Sequence, residues 1–333
     1  MSTRMHYRQL GKSGLRVSSV GLGCNNLGRP GTPTYGQDAV NRVVSAAYEA
    51  GINLFDIADV YGEKPGKAET MFGKALTYLG PAARDSMLLV SKFGMDLHGG
   101  KDTDRSARGS RSYIMRALEA SLRRLGSEHI DLYIYHTPDG KTPADETLSA
   151  LNTLIDQGKV RYIGHSNHTG WQIAQAEYLA QNLGKQRYIA AENHYNLLDR
   201  RAELEVIPAA QHFGLGLLPY FPLANGLLTG KYKRNQQAPT GSRLSHSKTE
   251  YLKAANWEQL EAFDQFCRQS GISQVQAAFS WLAQKEPVAS IIAGATTVQQ
   301  VAENAQAASY RFSQQELARL DQIFPAPEKI APY

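Results

Sequence analysis

The sequence predicts an α/β protein, a single (β/α)8 TIM barrel with an N-terminal β-hairpin and a C-terminal extra helix. Three observations carry this expectation. Eight short apolar or β-rich runs alternate with amphipathic segments along the 333 residues. The connections between them are short, and composition does not shift between the halves of the chain, so one parallel barrel fits better than two doubly wound sheets. With 42% apolar residues the chain can bury a core of that size, and residues 1–333 are expected to form one domain.

The elements follow in order. Residues 5–19, within MHYRQLGKSGLRVSS, read as a hairpin turned by the Gly/Lys/Ser cluster. The barrel strands are expected in VSSVGLG, INLFDIA, MLLVSKF, IDLYIYH, VRYIGHS, YIAAEN, LGLLPYF and VASIIAG. Between them, Val40, Val43, Val44 and Ala47 have the spacing of one buried helix face, as do Met71, Phe72, Ala75, Leu76 and Leu79. Ile114, Leu118, Leu122 and Leu125 repeat it, and so do Ile173, Ala176, Ala180 and Leu183. Gly51, Gly80, Gly126, Gly158, Gly184 and Gly214 stand at or near the ends of these helices, where a left-handed residue stops a helix with little strain.

Two further segments fall outside the repeat. Residues 231–255 follow the seventh strand as a polar loop, with QQAPTGSR and no apolar periodicity. In a barrel this loop lies on the C-terminal face, as a lid over a ligand or as a plain insertion. The last helix is expected over residues 313–324, SQQELARLDQIF.

Charge and cysteines exclude several function classes. The 36 basic and 31 acidic residues leave a formal charge of +5, but they are scattered, and no basic run suits nucleic acid. The mild excess fits ordinary solubility, or an anionic small molecule. Cys24 and Cys267 lie far apart with no CxxC or metal-ligand spacing, which suits a reducing compartment. The N-terminus lacks an apolar leader, and no stretch approaches membrane-spanning length, so a cytoplasmic location is expected, without a membrane partner. VGLGCNNLG superficially suggests a dinucleotide fingerprint, but Asn26 breaks the glycine spacing and a barrel-mouth turn accounts for it better.

Four polar residues stand where strand runs break off: Asp56 and Tyr61 around the end of NLFD, Lys92 after MLLVS, and His136 after LYIY. The C-terminal strand ends are where a barrel builds its active site. Lys92 follows Leu88 and Val90 at period two, and His136 follows Leu132 and Ile134, so each ends a face that points inward. A buried ammonium needs a partner, and Asp56 is the expected one. Beside that pair, the Tyr61 phenol is expected to be acidified by the lysine charge, and it can then protonate a carbonyl oxygen as hydride reaches the carbon. His136 would hydrogen-bond the same oxygen and orient the substrate. Singly, each residue has a structural explanation; their coincidence at one rim favours a site.

These residues also carry a resemblance. FDIADVYG, LLVSKFG and DLYIYHTPD resemble the segments that hold the aspartate, tyrosine, lysine and histidine of the aldo-keto reductases. The chain is most similar to bacterial members related to potassium-channel β-subunits, which share GLLTGKY and a GAT-type segment after the eighth strand. The resemblance implies reduction of an aldehyde or ketone with hydride from NADPH and a proton from Tyr61.

It also implies a cofactor site. Ser166 and Asn167 match the residues that hold the nicotinamide carboxamide, and Tyr220 matches the aromatic on which the ring stacks. Pro222, Leu223, Ala224 and Gly226, with Lys231, would line the pyrophosphate, and Arg243 would reach the adenosine phosphate. Gly294, Thr296, Gln300, Glu303 and Asn304 fall on the adenosine-phosphate and adenine positions at the start of the last barrel helix.

Three departures stand out. Glu192 occupies the place of a glutamine beside the nicotinamide amide, and it can donate only when protonated. Phe221 replaces a small hydroxyl residue. Gln300 and Thr297 stand where some relatives have arginine, yet Lys231 and Arg243 keep NADPH ahead of NADH. The substrate pocket is expected to be lined by Asn25, Asn26, Phe93, Met95 and residues near Tyr195. Two rival readings are an NADPH-binding regulatory subunit with little turnover, and a Schiff-base barrel aldolase using Lys92.

Overall fold

The structure is a computed structural model that describes residues 5–99 and 106–328. Strands β1 (Tyr7–Gln9) and β2 (Arg16–Ser18) pair antiparallel as the expected hairpin. Eight strands then form one parallel sheet: β3 (Val20–Gly23), β4 (Leu54–Asp56), β5 (Leu88–Phe93), β6 (Ile130–Tyr135), β7 (Val160–Ser166), β8 (Ala190–Glu192), β9 (Gly216–Leu217) and β10 (Ile291–Gly294). Each lies within one of the eight runs identified from sequence. The order is β10-β3-β4-β5-β6-β7-β8-β9. Isolated parallel bridges, Leu217 with Val288 and Tyr220 with Ile292, link the two outer strands' segments. The arrangement is consistent with a (β/α)8 fold.

β9 is far shorter than the run LGLLPYF. Pro219 has no N–H to give to the ladder, and the chain then turns at Phe221, whose φ is 53°. Only the start of that run pairs continuously.

The period of two along the strands divides the core. One inward-facing cluster joins Leu54, Val90, Leu132, Ile134, Ala190, Leu218 and Ile292, and Leu10 and Val17 of the hairpin region pack into it from below. Gly21 belongs to this crowded interior: a Cβ there would stand 2.8 Å from Leu54 and 3.1 Å from Ile292. Two residues beyond the inward apolar positions come Asp56, Lys92, His136, Glu192 and Tyr220. The larger cluster fills the space between sheet and helices, with Phe55, Phe93, Tyr133, Ile163 and Leu217 packed against helix residues such as Phe72, Leu118 and Leu151.

The helical faces read from sequence form helices Gln37–Glu49, Lys67–Leu79, Arg111–Leu125 and Gly170–Leu183. Gly126 and Gly184 end two of them in the left-handed region, at φ 62° and 60°. Residues 231–255 are less irregular than expected, because short helical turns form at Arg243–His246 and Glu250–Lys253. Their apolar anchors are single residues, Leu244 and Leu252 packed on the main core, which leave no periodicity to read. The last helix, Gln314–Ile323, starts at a capping box between Ser313 and Glu316. Among the described residues no helix is long and apolar enough to cross a membrane.

Candidate active site

A cleft of about 400 Å³ opens over the C-terminal ends of the strands, lined in part by Asp56, Tyr61, His136, Glu192 and Tyr220. Asn167, Pro222, Arg243 and Gly294 line it too. A larger groove of about 560 Å³ lies among residues that precede the strands, including Gly11, Gly214 and Pro287, and holds none of the expected site residues.

Lys92 lies just beneath the cleft with no solvent exposure, under Asp56, Tyr61 and Glu192, which line it. Its ammonium bonds Asp56, donates to the Ile57 carbonyl at 3.1 Å, and reaches the Tyr61 hydroxyl at 3.4 Å. Glu192 Oε1 is 3.4 Å from the same nitrogen. β4, β5 and β8 each end on this point because Leu54, Val90 and Ala190 face inward two residues earlier. Burial pulls the ammonium down, but Asp56, Glu192 and Tyr61 together hold its pKa well above the ordinary lysine value. Lys92 therefore stays charged, which removes the free amine a Schiff-base mechanism needs.

The expected acidification of Tyr61 is not what the structure produces. Burial pushes the phenol above its ordinary value, and Lys92 pulls it back only in part because the negative charges of Asp56 and Glu192 push upward again. Tyr61 is a protonated phenol at neutral pH. His136 stands edge-on to it, with ring centroids 5.8 Å apart at 83°. Burial and the Lys92 charge keep His136 far below the ordinary imidazole pKa, so it is neutral, and its Nδ1 is a buried atom with no partner among the described residues.

Glu192, expected beside the nicotinamide amide, is made a weak acid by its surroundings. Burial, then the Asp56 charge, push its carboxyl up to about 8 against the opposing pull of Lys92. Its Oε2 has no hydrogen-bond partner among the described residues.

Beside this floor, Tyr220 and Asn167 are tied together: the Tyr220 hydroxyl donates to Asn167 Oδ1 at 2.7 Å. Asn167 is itself left-handed at φ 58°, and its Nδ2 donates to the His136 carbonyl and to Ser166 Oγ. Such a conformation in a non-glycine residue at a strand end is held by its partners. One face of the Tyr220 ring is covered by His194, stacked at 5.4 Å and 11°. Two cations, Arg243 and Lys248, each lie 5.2 Å from the Phe221 ring.

Ser166 is buried beneath Asn167 and does not line the cleft. Leu223, Ala224, Gly226 and Lys231 follow Pro222 on a turn whose Ala224, Asn225 and Gly226 have φ of 46°, 58° and 99°. Thr296, Gln300, Glu303 and Asn304 gather at the start of helix Val298–Ala307, outside the cleft lining. There Gln300 Oε1 accepts from the Thr296 amide at 2.8 Å and from its hydroxyl at 3.1 Å.

Of the expected pocket residues, Asn25, Asn26 and Met95 line the cleft. Phe93 does not, nor do residues 193–198 around Tyr195, and both Phe93 and Tyr195 are fully buried. Phe93 faces the helices and stacks on Tyr135 at 5.1 Å, one residue out of phase with Lys92, and the Tyr195 hydroxyl donates to Glu203 at 2.6 Å. Sequence reasoning missed Arg29, which lines the cleft beyond the turn Cys24–Asn26 and is partly desolvated. A lone arginine in GRPGT offered no pattern to find it by. That turn follows β3 with no helix opening behind it, so VGLGCNNLG is not a dinucleotide fingerprint.

Comparison with known proteins adds ancestry. The model of the aldo/keto reductase family matches residues 19–324. The chain is 35% identical to an uncharacterised oxidoreductase, YrpG, of Bacillus subtilis, over 97% of each chain. It is 34% identical to an L-glyceraldehyde 3-phosphate reductase of Escherichia coli O157:H7, over 96% of this chain and 92% of that one. A probable voltage-gated potassium channel subunit beta of Oryza sativa subsp. japonica is 33% identical over 91% of each. A match that runs from the first parallel strand to the last helix settles the relationship: this chain belongs to the aldo/keto reductase family.

Proposed function

We propose that the protein reduces an aldehyde or ketone to an alcohol with NADPH, and that Tyr61 donates the proton. The observation that carries this is the contact of a fully buried, charged Lys92 with both Asp56 and the Tyr61 hydroxyl, beside a neutral His136 at the floor of an open cleft.

The residues present fit the cofactor. Tyr220 offers an aromatic face, with His194 behind it, and Asn167 carries an amide at its edge, held from below by the Ser166 hydroxyl. The left-handed turn through Ala224–Gly226 and the cation Lys231 suit a pyrophosphate, and Arg243, whose Nε is buried without a partner among the described residues, suits a further phosphate. Bound there, NADPH would supply the hydride.

The chain's own residues would handle the proton. A carbonyl oxygen resting between Tyr61 and His136 would accept hydrogen bonds from both, which holds the carbon in place. As negative charge develops on that oxygen, the Tyr61 proton moves to it, and the nearby Lys92 charge stabilises the phenolate left behind. Burial that raises the phenol keeps it loaded before reaction. Asp56 keeps Lys92 charged and aimed.

The E. coli relative's name specifies a phosphorylated aldehyde, and Arg29 at the cleft wall would suit an anionic substituent of that kind. We also propose that it acts in the cytoplasm, a reducing compartment that suits its free cysteines Cys24 and Cys267. Titrating NADPH into the protein while following cofactor fluorescence, then adding a panel of aldehydes and ketones, tests the reading. Binding followed by steady oxidation is expected. Tight binding with no turnover on any carbonyl would instead support a regulatory subunit, and absence of both would refute the proposal.

A further inference from the structure

Two carboxylates converge on one ammonium just beneath the cleft. Asp56 bonds Lys92 directly, and Glu192 approaches the same Nζ to 3.4 Å. The three side chains are 3%, 0% and 2% exposed for Asp56, Lys92 and Glu192. Were both carboxylates ionised, the trio would carry a net negative charge, and no other cation makes an ion pair with either among the described residues. Charge of that kind is not kept away from water when a proton can neutralise it, so the trio holds one extra proton.

Glu192 is the residue suited to hold it. Its carboxyl meets that of Asp56 in a side-chain hydrogen bond that raises Glu192 and lowers Asp56, and its side chain lines the cleft, while Asp56 is engaged with Lys92. The titratable groups that face it are Asp56 on β4, Lys92 on β5, Tyr61 after β4 and Tyr220 after β9. Burial and Asp56 bring its carboxyl to about 8, within reach of a neutral solution. From Glu192 a line of polar atoms continues through Lys92 Nζ to Tyr61 Oη in steps of 3.4 Å each. A glutamine in its place would have no proton of comparable acidity.

We propose that Glu192 stores the proton that restores Tyr61 after each reduction and passes it on through Lys92. The proposal rests on Tyr61 being the donor to the carbonyl. When the Tyr61 O–H bond breaks and its proton joins the substrate oxygen, a phenolate remains. A Lys92 N–H then gives its proton to the phenolate, and the Glu192 O–H gives its proton to the lysine nitrogen. Tyr61 is a phenol again and Lys92 an ammonium again. Glu192 is left as a carboxylate, which regains a proton from solvent through the cleft once product leaves. The electron pair for reduction comes from the cofactor's hydride, so the chain supplies protons alone. Glu192 acts through Lys92, as a positioning residue for the proton.

Glu192→Gln in the full-length protein tests this with two readouts. Infrared spectra of the cofactor-free wild type should show a buried carboxylic-acid C=O band that disappears as pH rises through about 8, and that Glu192→Gln lacks. In turnover with NADPH and an aldehyde, wild-type kcat should fall by about tenfold per pH unit above that point. Glu192→Gln should lose about tenfold in steady-state kcat at pH 7, a larger loss than in the rate of its first turnover, and show no such alkaline limb. Glu192→Asp should bring the limb back. An identical alkaline limb in wild type and Glu192→Gln, or absence of the titrating band, would overturn the proposal. A titrating band in a wild type that never oxidises NADPH would sink the reductase reading itself, and the relay with it.

Discussion

The ammonium of Lys92 and the hydroxyl of Tyr61 stand 3.4 Å apart, and Lys92 is held there by Asp56, the Ile57 carbonyl and Glu192. The lysine does not make the buried phenol acidic at rest. In the proposed reaction its value comes later, when a phenolate would form with a positive charge already in place.

That placement makes Lys92 a stability residue as well. Lys92→Met should cost about 3–5 kcal/mol in urea unfolding at pH 8, because Asp56 and Glu192 lose their cation inside the protein. The loss should shrink at pH 5, where the two carboxyls take up protons more readily. Equal losses at both pH values would contradict the buried trio.

On the proposed NADPH site, cofactor preference should turn on Gln300. Its Oε1 now occupies the Thr296 amide at the start of the last barrel helix. Gln300→Arg releases that amide and adds a charged donor, which should raise the ratio of NADPH to NADH affinity by about tenfold, the worth of one charge-assisted hydrogen bond. Dissociation constants for both cofactors, measured by fluorescence, check it. An unchanged ratio would mean that helix does not meet the adenosine phosphate.

The parallel sheet was legible because its strands are continuous apolar runs punctuated by glycine and polar residues, and period two then predicts which side chains meet inside. Asp56, Lys92 and His136 could be found by that register alone. The acidity of Tyr61 could not, since it depends on how far burial outweighs one charge, and burial is a property of the packed cleft. Phe93 was misassigned for the same kind of reason: it lies one residue past Lys92, and a shift of one turns a side chain from the interior to the helix layer. Arg29 and Lys248 reach the site from irregular segments, where no period relates sequence to space.

A second buried cluster predicts acid sensitivity. The rings of His165 and His168 meet at a tilt of 36° with centroids 4.4 Å apart, and neither ring nitrogen of His165 has a partner among the described residues. Burial lowers His168 from 6.5 to about 4. A histidine depressed in the folded state contributes its full stability above the unfolded value, and loses it as pH falls from there toward the folded value. Between pH 7.5 and 5 the His168 contribution should drop by ~2 kcal/mol. Urea unfolding across that range should show the fall, and His168→Asn should flatten it; parallel curves for the two proteins would contradict the assignment.

Tyr61→Phe is the most direct test of the central claim that Tyr61 supplies the proton. The variant should bind NADPH with a dissociation constant within about twofold of wild type, because the hydroxyl lies apart from Tyr220 and Asn167, while kcat and kcat/KM for an aldehyde both fall by about 10²–10⁴-fold. Near-normal reduction by the variant, or a loss explained by weakened cofactor binding alone, would contradict it.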